Sequence, residues 1–261
     1  MSGIRMLRLI LMLIGCMMIQ PALAANKATP ATKPSPCMPF VGEQMRFDVG
    51  WEFINAGSAD MAISGNPSGW QIKTLAKTNR FFDMFKKVRD TITAKGVCIH
   101  ARMQSTVFDI EQHERNYHAS KQTRFLWQQG KATFRQNKKT DAYDVPAGHL
   151  SVLDAFFAVR MMPLQPGKTL SVPVFDSRKR YEIVVSVGQR KKKMKAPWGG
   201  FVDCIEVEPK LKTEGIFSSK GKIKIWMTDD ARHIPLKMTA KIKIGHIVAL
   251  LKNYQSPKKR I

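Results

Sequence analysis

The chain has 261 residues, of which 43 are lysine or arginine and 20 are aspartate or glutamate, so its formal net charge is +23. This length is enough for a single all-β domain with one hydrophobic core. The charge favours an anionic partner such as nucleic acid, an anionic lipid, lipopolysaccharide or an acidic glycan. After the N-terminal segment, no apolar stretch approaches the roughly 20 residues of a membrane-spanning helix, which excludes an integral helical membrane protein.

The N-terminus has the three parts of a signal peptide. Arg5 and Arg8 form a basic start, Leu9 to Ile19 form an apolar stretch, and Ala22-Leu23-Ala24 supplies a small-x-small cleavage pattern. We therefore expect cleavage after Ala24 and an exported, periplasmic protein that can associate with the outer membrane. Export removes most of the argument for nucleic acid, so the expected partner is an anionic envelope lipid or glycolipid, or an envelope protein.

A second processing pattern overlaps the signal peptide. Leu13-Ile14-Gly15-Cys16 resembles a lipobox, in which Cys16 would become a lipidated N-terminus. However, Met17, Met18 and Ile19 follow the cysteine, whereas a lipoprotein usually turns polar directly after it. Cleavage after Ala24 is therefore the favoured interpretation, and the lipoprotein is the alternative.

Three cysteines remain after such cleavage, namely Cys37, Cys98 and Cys204. An oxidising compartment allows one disulfide among them, and three pairings are open. Cys204 lies in an alternating strand pattern, where a buried free cysteine is common. Cys37 with Cys98 is therefore the first choice, and this bond would fasten the N-terminal segment to the rest of the domain.

The chain divides into a signal peptide (1–24), a flexible lead-in rich in Ala, Thr and Pro (25–40), a β domain (41–256) and a basic tail (257–261). Alternation of apolar and polar residues within the domain predicts a series of strands. Their predicted ranges are 43–53, 58–64, a strand from 70, 88–94, 102–110, 117–127, 131–136, 169–175, 181–188, 201–208, 222–228, 235–244 and 246–254.

One helix is predicted from Ser151 to about Met161. Ser151 and Asp154 form an N-cap with an acidic partner three residues later, and an apolar stripe of helical spacing follows. Many short antiparallel strands with one helix (about 151–161) predict a single, mainly β domain. Its architecture should be an antiparallel, barrel-like or strongly curved sheet against which the helix packs.

The segment from Ile225 to Leu236 (IWMTDDARHIPL) resembles the W-x-T-D-D-x-R-x-x-P-L segment of exported bacterial proteins grouped as domain of unknown function 3108. Further landmarks of the resemblance are Gly42-Glu43, Trp51 to Gly57, Arg160 before Leu164-x-Pro166-Gly167, and Ile244-Gly245. The similarity covers about residues 41 to 254. It implies an exported, mostly β protein and carries no known activity, so function must be argued from the residues.

No motif for catalysis, a cofactor or a metal stands out. Cys98-Ile99-His100 could pair a nucleophile with a base, but a structural cysteine beside an exposed histidine is the more common arrangement. The Asp229-Asp230 pair fits a turn in which aspartates accept from backbone N–H groups and pair with Arg232. His113 and His118 resemble a zinc motif with one residue too many, and on one strand they would point in opposite directions. We therefore expect no enzyme, no cofactor and no metal site.

Two basic features favour an anionic ligand. The first is a charged hairpin tip or loop beside Trp198, which could rest on an anionic membrane or could be a solvated loop; its cations are Arg190, Lys191, Lys192, Lys193 and Lys195. The second is a hairpin in which Thr228 opposes His233. This register places Lys224 opposite Lys237, and a bound phosphate or carboxylate would relieve their repulsion unless both side chains extend into water. The candidate anion-binding residues of this second face are Lys222, Lys224, Lys237, Lys241 and Lys243.

The run from Arg80 to Lys87 (RFFDMFKK) interrupts the strand pattern and predicts a short helix or an aromatic lip. Its apolar members are candidates for a pocket mouth, or are simply core: Phe81, Phe82, Met84 and Phe85. The expected function is a non-catalytic envelope protein that holds an amphipathic anionic ligand, such as a lipid, lipopolysaccharide or related glycolipid. The alternatives are a structural or adaptor protein that docks on an envelope protein or peptidoglycan and, third, a hydrolase with an unrecognised site.

Overall fold

The computed structural model describes residues 37–213, 216–218, 222–242 and 245–257. The signal peptide with Cys16 and the cleavage point after Ala24, the lead-in before Cys37, Lys243 and the end of the tail lie outside these ranges. Their sequence-based interpretations remain predictions.

Fifteen strands and two α-helices make up the described chain. The strands are β1 (Gln44–Trp51), β2 (Ile54–Asn66), β3 (Gly69–Thr78), β4 (Arg89–Ile99), β5 (Arg102–Glu114), β6 (Tyr117–Leu126), β7 (Lys131–Gln136), β8 (Lys139–Asp144), β9 (Thr169–Asp176), β10 (Lys179–Lys195), β11 (Phe201–Thr213), β12 (Ile216–Ser218), β13 (Ile223–Thr228), β14 (Pro235–Lys241) and β15 (His246–Gln255). The helices are α1 (Arg80–Lys86) and α2 (Val152–Arg160), and a short 3-10 helix spans Trp127–Gln129.

The strands form one antiparallel sheet built from two meanders. Its order is β8-β7-β6-β5-β4-β3-β2-β1-β15-β14-β13-β11-β10-β9, with β12 paired to β11. The first meander runs from β1 to β8 and the second from β9 to β15, and they join where β1 pairs with β15. Residues between the two meanders carry α2, so the helix connects the two edges of the sheet.

The alternation that predicts the strands determines which face is buried. In β1, Met45 and Phe47 are buried while Gln44 and Arg46 are exposed, and the other central strands follow the same period of two. The inward side chains of both meanders belong to a single hydrophobic core that also contains α2.

The two edges of the sheet meet through one backbone bridge and packed side chains: Leu150, between β8 and α2, makes two backbone hydrogen bonds of 3.0 Å to β9. The edge strands β8 and β9 are not paired, but the Phe175 ring of β9 lies 5.7 Å from Tyr143 of β8 and 6.1 Å from Phe125 of β6. Beyond β9, Arg178 lies over the Phe134 ring and 3.6 Å from the carboxylate of Asp141. The predicted barrel-like antiparallel sheet is confirmed, but strand pairing between β8 and β9 does not close it.

Two strands escape the sequence prediction. β8 has the sequence KTDAYD, whose alternate positions carry too little apolar character to signal a strand, and β12 is three residues long. The prediction of a charged hairpin tip or loop at residues 190–195 is wrong, because these residues continue β10 to Lys195 and pair with β11. Ala196 to Gly200 form the turn instead.

The predicted helix is confirmed, but its surroundings differ from those of an ordinary amphipathic helix. Ser151 is the N-cap and accepts from the N–H of Asp154. Every residue from Leu153 to Arg160 is buried, so the helix is enclosed on all sides by the sheet and its connections. A helix that is buried all round must satisfy its polar side chains internally.

The disulfide between Cys37 and Cys98 is present, as predicted, and Cys204 is a buried free thiol. Burial raises the pKa of Cys204 to about 11, so the thiol is protonated at neutral pH. Met38 and Phe40 are also buried, so the end of the predicted flexible lead-in is part of the core. In the described ranges, no helix has the length and apolar character needed to cross a bilayer.

We expect reduction of the disulfide, or the double substitution Cys37→Ser and Cys98→Ser, to lower the free energy of unfolding by about 4 kcal/mol. The bond links residues 61 apart, and freeing such a long loop restores conformational entropy to the unfolded chain. Urea unfolding of the oxidised and reduced protein measures the difference. Cys204→Ser serves as the control, since it leaves the disulfide intact, and reductant should still destabilise it by the same amount.

Candidate functional site

The two ends of the sheet carry different kinds of side chain. The lower end is defined by the start of β1 and the end of β13, and carries Glu43 and Thr228. The upper end is defined by the end of β1 and the start of β13, where Trp51, Ile247, Ala240 and Ile223 follow one another across β1, β15, β14 and β13. Both termini of α2 are attached at the lower end.

The N-terminus of α2 is attached through Asp154, which is fully buried. The Trp70 indole N–H donates to its carboxylate at 3.1 Å, the Ser151 hydroxyl donates at 2.7 Å, and the Ser105 hydroxyl donates as well. Trp70 is the second residue of β3 and Ser105 lies near the start of β5, so both belong to the lower end. Burial raises the pKa of Asp154 to about 6, although the three hydrogen bonds act in the opposite direction.

The C-terminus of α2 is attached through Arg160, which forms a fully buried ion pair with Glu43. The two guanidinium nitrogens donate to the two carboxylate oxygens at 2.6 and 2.8 Å. The same guanidinium donates to the carbonyl oxygens of Arg232 and His233 at 3.1 Å and lies 4.0 Å from the Phe40 ring. This single side chain therefore links the N-terminal segment, α2 and the β13–β14 turn.

Tyr254 and Trp198 cover this ion pair. The Tyr254 hydroxyl donates to Glu43 at 2.9 Å, and burial together with the Glu43 carboxylate raises the pKa of Tyr254 above its usual value. The Trp198 ring lies 5.4 Å from the Tyr254 ring and 5.9 Å from the Arg232 guanidinium. Trp198, considered from the sequence as a residue at the headgroup level of a membrane, is thus partly engaged in covering the lower end.

With both termini held, α2 forms the floor of an apolar cavity. One helix face opposes the inward faces of β10, β11 and β13, and the cavity volume is about 70 Å³. Its lining is entirely apolar: Val152, Ala155, Phe156, Val159, Ile183, Val185, Val207, Pro209, Leu211, Ile223, Ile225 and Met227. Because Ile183, Leu211 and Ile223 lie towards the upper end, the cavity points away from the buried ion pair.

A second depression lies on the outer face of β1–β3 and β15. Its volume is about 560 Å³, and its lining mixes charged side chains, among them Arg46, Asp60 and Lys73, with apolar ones. Arg46 and Asp60 already pair with each other at 3.3 Å. The cavity beside α2, whose lining is apolar throughout, is therefore the stronger candidate for a specific site.

The candidate pocket mouth lies at the upper end but does not line the cavity. Phe81, Phe82, Met84 and Phe85 form α1, and three of them are strongly exposed. Phe82 contacts Trp51 with ring centroids 6.5 Å apart. None of the four side chains is buried, so the structure does not support the alternative that they belong to the core.

The predicted register of the β13–β14 hairpin is wrong by two residues. Ile225 opposes Met238 instead of Leu236, and Lys224 opposes Thr239 instead of Lys237; a bulge between Trp226 and Met227 accounts for one residue of this shift. Lys237 opposes Trp226 and its ammonium lies 5.2 Å from the ring centroid. The like-charge pair that argued for a bound anion therefore does not exist.

Two lysines of this face pair with glutamates of β11. Lys224 pairs with Glu206 at 2.5 Å and Lys222 pairs with Glu208 at 3.5 Å. Lys237 and Lys241 make no salt bridge within the described chain. Lys241 donates its backbone N–H to the Lys222 carbonyl at 3.0 Å, so these two exposed lysines stand side by side at the upper end.

The other basic run lies towards the lower end, on β10. Lys191 pairs with Asp229, and this carboxylate raises the pKa of the Lys191 ammonium. Arg190, Lys192, Lys193 and Lys195 are exposed and form no salt bridge with any residue that the structure describes. The two basic features of the sequence are therefore separate and do not form one anion site.

The remaining motifs are structural. Cys98 is consumed by the disulfide, and Asp230 accepts from the Arg232 N–H at 3.0 Å and from the Thr228 hydroxyl at 2.8 Å. His113 and His118 oppose each other across the β5–β6 hairpin, with rings 5.6 Å apart, and so do not point in opposite directions. Among the described residues, no group of three or more His, Cys, Asp and Glu side chains could hold a metal.

Sequence reasoning missed one buried cation. Lys121 of β6 is 6% exposed, and its ammonium donates to the side-chain oxygen of Gln112. Gln112 of β5 and Lys121 of β6 both occupy buried positions of their strands. In the sequence, nothing distinguishes this lysine from a lysine on the surface. Burial raises the pKa of Asp176, and the nearby Lys121 charge opposes this shift.

The family described as "Protein of unknown function (DUF3108)" matches residues 46–252. The chain belongs to the DUF3108 family. The resemblance inferred from the W-x-T-D-D-x-R-x-x-P-L segment is thereby confirmed. In this DUF3108 protein, landmarks that are far apart in the sequence converge at the lower end: Glu43, Arg160, Arg232 and His233.

A solved structure supports the same architecture. The crystal structure of a beta-barrel-like protein of domain of unknown function DUF1849 from Brucella abortus has a TM-score of 0.60 to this DUF3108 protein. The match covers 84% of this chain and 99% of that chain at 10% sequence identity, so it shows a shared fold alone. No curated protein matches the sequence.

Removing one partner of the buried ion pair should strongly destabilise this DUF3108 protein. We expect Arg160→Met to lower the free energy of unfolding by about 3–5 kcal/mol, since Glu43 would remain buried without its partner. Arg46→Met is the matched control, because the Arg46–Asp60 pair is half exposed and should contribute no more than about 1 kcal/mol. Chemical denaturation compares the two, and equal losses would contradict the assigned importance of Arg160.

Asp154 should give the stability a distinctive pH dependence. Its pKa of about 6 in the folded protein exceeds the ordinary value of 3.8, so the folded state holds this proton more tightly than the unfolded chain. The contribution of Asp154 to the free energy of unfolding should therefore fall by about 3 kcal/mol as the pH rises from about 4 to 6.

Asp154→Asn removes this titration. The difference in unfolding free energy between the wild type and Asp154→Asn should change over that pH window. The control Asp144→Asn, at an exposed residue, should show no such change. A pH-independent difference for Asp154→Asn would contradict the raised pKa.

Proposed function

We propose that this protein is a non-catalytic binding protein of the cell envelope, whose cavity takes the hydrocarbon chain of an amphipathic anionic ligand such as a lipid or glycolipid. The observation that carries the proposal is the cavity between α2 and β10, β11 and β13, whose lining is apolar throughout. A site of this kind favours a hydrocarbon group, because burying apolar surface from water stabilises the complex without requiring polar partners.

The dimensions indicate how such a ligand would lie. A volume of about 70 Å³ holds about two water-sized groups, so the cavity takes only the end of a hydrocarbon chain. The rest of the chain would follow the partly buried apolar side chains at the upper end, which include Ile183, Ile242 and Ile247. The polar headgroup would then emerge at the upper end.

Lys222 and Lys241 would receive an anionic headgroup there. Both are exposed, their backbones are hydrogen bonded to each other, and Lys222 directly precedes the cavity residue Ile223. Glu208 already offsets part of the Lys222 charge, which leaves Lys241 as the stronger contributor. A charge-assisted contact to two adjacent lysines is consistent with a phosphate or carboxylate group.

Two observations favour an envelope location. The N-terminal sequence has the pattern of a signal peptide, and the Cys37–Cys98 disulfide is the kind of bond that persists in an oxidising compartment. A net charge of +23 also suits a surface rich in anionic lipids or glycolipids.

Filling the cavity should reduce ligand binding without unfolding the protein. Ala155 lies on the cavity floor, so Ala155→Leu places three additional carbon atoms in the apolar space. We expect the affinity for a fluorescent long-chain fatty acid, measured by titration, to fall roughly tenfold, since about two methylene groups lose their burial. Stability should stay level or rise by about 1 kcal/mol, as for other cavity-filling substitutions.

The matched control is Ala142→Leu, the same change at an exposed position of β8. It should leave fatty-acid binding unchanged. Mass spectrometry of an organic extract of the purified protein provides a second readout, in which a co-purifying amphiphile is expected. A clean extract without fatty-acid binding, together with a crosslinked envelope protein, would instead support an adaptor and would overturn the proposal.

A further inference from the structure

The upper end carries an exposed aromatic patch, which we define as Phe53, Ile54, Phe81, Phe82, Met84 and Phe85. Phe53 is 100% exposed, Met84 and Phe85 are 64% exposed, and Phe81 is 53% exposed. Three phenylalanine rings at these exposures present on the order of 400 Å² of apolar surface to water. A patch of this size is comparable with the largest apolar patch of a typical monomer, and such patches are often functional.

The patch is held in a fixed shape. Phe81 and Phe85 of α1 have ring centroids 5.4 Å apart, and the Asn79 side chain caps the start of the helix. Asn79 also donates to the Asn55 carbonyl oxygen at 2.6 Å, which fastens α1 to the chain that follows Phe53 and Ile54. These contacts keep the rings of α1 together on the surface, beside the turn that carries Phe53, although α1 itself buries no residue.

Several cations lie around the patch. The Arg115 guanidinium donates to the Met84 and Phe85 carbonyl oxygens at 3.0 Å, which caps the helix and places a positive charge beside the rings. Arg89 is paired with Asp83, and Lys86 is paired with Glu114 at 2.7 Å. Arg80 and Lys87 are exposed and form no salt bridge within the described chain, so the rim of the patch is net positive.

We propose that the aromatic patch is a membrane-docking surface, which inserts Phe53, Phe81, Met84 and Phe85 into the interface of an anionic bilayer. The surface of an anionic bilayer consists of a layer of charged headgroups above the acyl chains. The apolar rings would reach the boundary of the acyl chains, while the surrounding lysine and arginine side chains would stay among the anionic headgroups. A second copy of this chain, with its net charge of +23, would bring like charges together around the rings, whereas an anionic bilayer surface offsets them.

This proposal stands independently of ligand binding, yet the two surfaces are close together. Across β1, β15, β14 and β13, Trp51 beside the patch and Ile223 in the cavity lie three strand spacings apart, or about 14 Å. A protein docked through the patch would therefore hold the upper end of its cavity near the bilayer.

Sedimentation with lipid vesicles tests the proposal. The probes are vesicles of phosphatidylcholine alone and of phosphatidylcholine mixed with phosphatidylglycerol, at low and high salt. We expect the wild type to bind the mixed vesicles preferentially and to be released by salt. Phe53→Ser combined with Phe85→Ser should lower the affinity at least tenfold, and Arg80→Gln combined with Lys87→Gln should lower it roughly tenfold.

Matched controls lie towards the lower end. Phe201 is 71% exposed there, so Phe201→Ser removes an equally exposed ring, and Lys192→Gln combined with Lys193→Gln removes two unpaired cations. Both controls should bind vesicles as the wild type does, and every patch variant should keep its fatty-acid affinity and its urea midpoint. Vesicle binding that is unaffected by the patch variants, or equally reduced by the controls, would overturn the proposal. So would a change of oligomeric state in the patch variants with unchanged vesicle binding, because the patch would then be a protein interface.

Discussion

The ion pair between Glu43 and Arg160 is the interaction on which the rest of the structure depends. It is fully enclosed, and its guanidinium also serves the carbonyl groups of the β13–β14 turn. A buried ion pair contributes little net stability, because desolvation offsets the attraction, but it strongly disfavours arrangements in which either charge loses its partner. Here it allows one position for α2 relative to the first and last strands, and that position makes the helix the floor of the cavity.

The two ends of the molecule have different physical characters as a result. At the lower end, hydrogen bonds and an ion pair satisfy the buried side chains of Asp154 and Arg160. Tyr254 and Trp198 cover the network around Arg160. At the upper end, the described lining of the cavity is apolar, and exposed aromatic rings and exposed lysines lie nearby. Attachment of the helix at one end and apolar surface at the other are the features from which the binding of an amphiphile is proposed.

The sequence predicts the elements better than their contacts. Alternation in β1 and the Ser151 N-cap are local signals, and both are confirmed because period and capping depend on near neighbours. The hairpin register was wrong because a shift of two residues leaves the inward and outward faces unchanged, so alternation cannot detect it. The cavity joins α2 to strands up to 75 residues away, and Arg160 was visible only as a landmark whose partner, Glu43, lies 117 residues earlier.

The most direct test of the central claim is nuclear magnetic resonance of the methyl-labelled protein with a fatty acid that carries a nitroxide near the end of its chain. If α2 forms the floor of a hydrocarbon site, the nitroxide should broaden the methyl signals of Ala155, Val185 and Ile225 and leave Val107, on the outer face of β5, sharp. Broadening of Val107 with sharp signals from the three cavity residues would show that the fatty acid binds outside the sheet and would contradict the account.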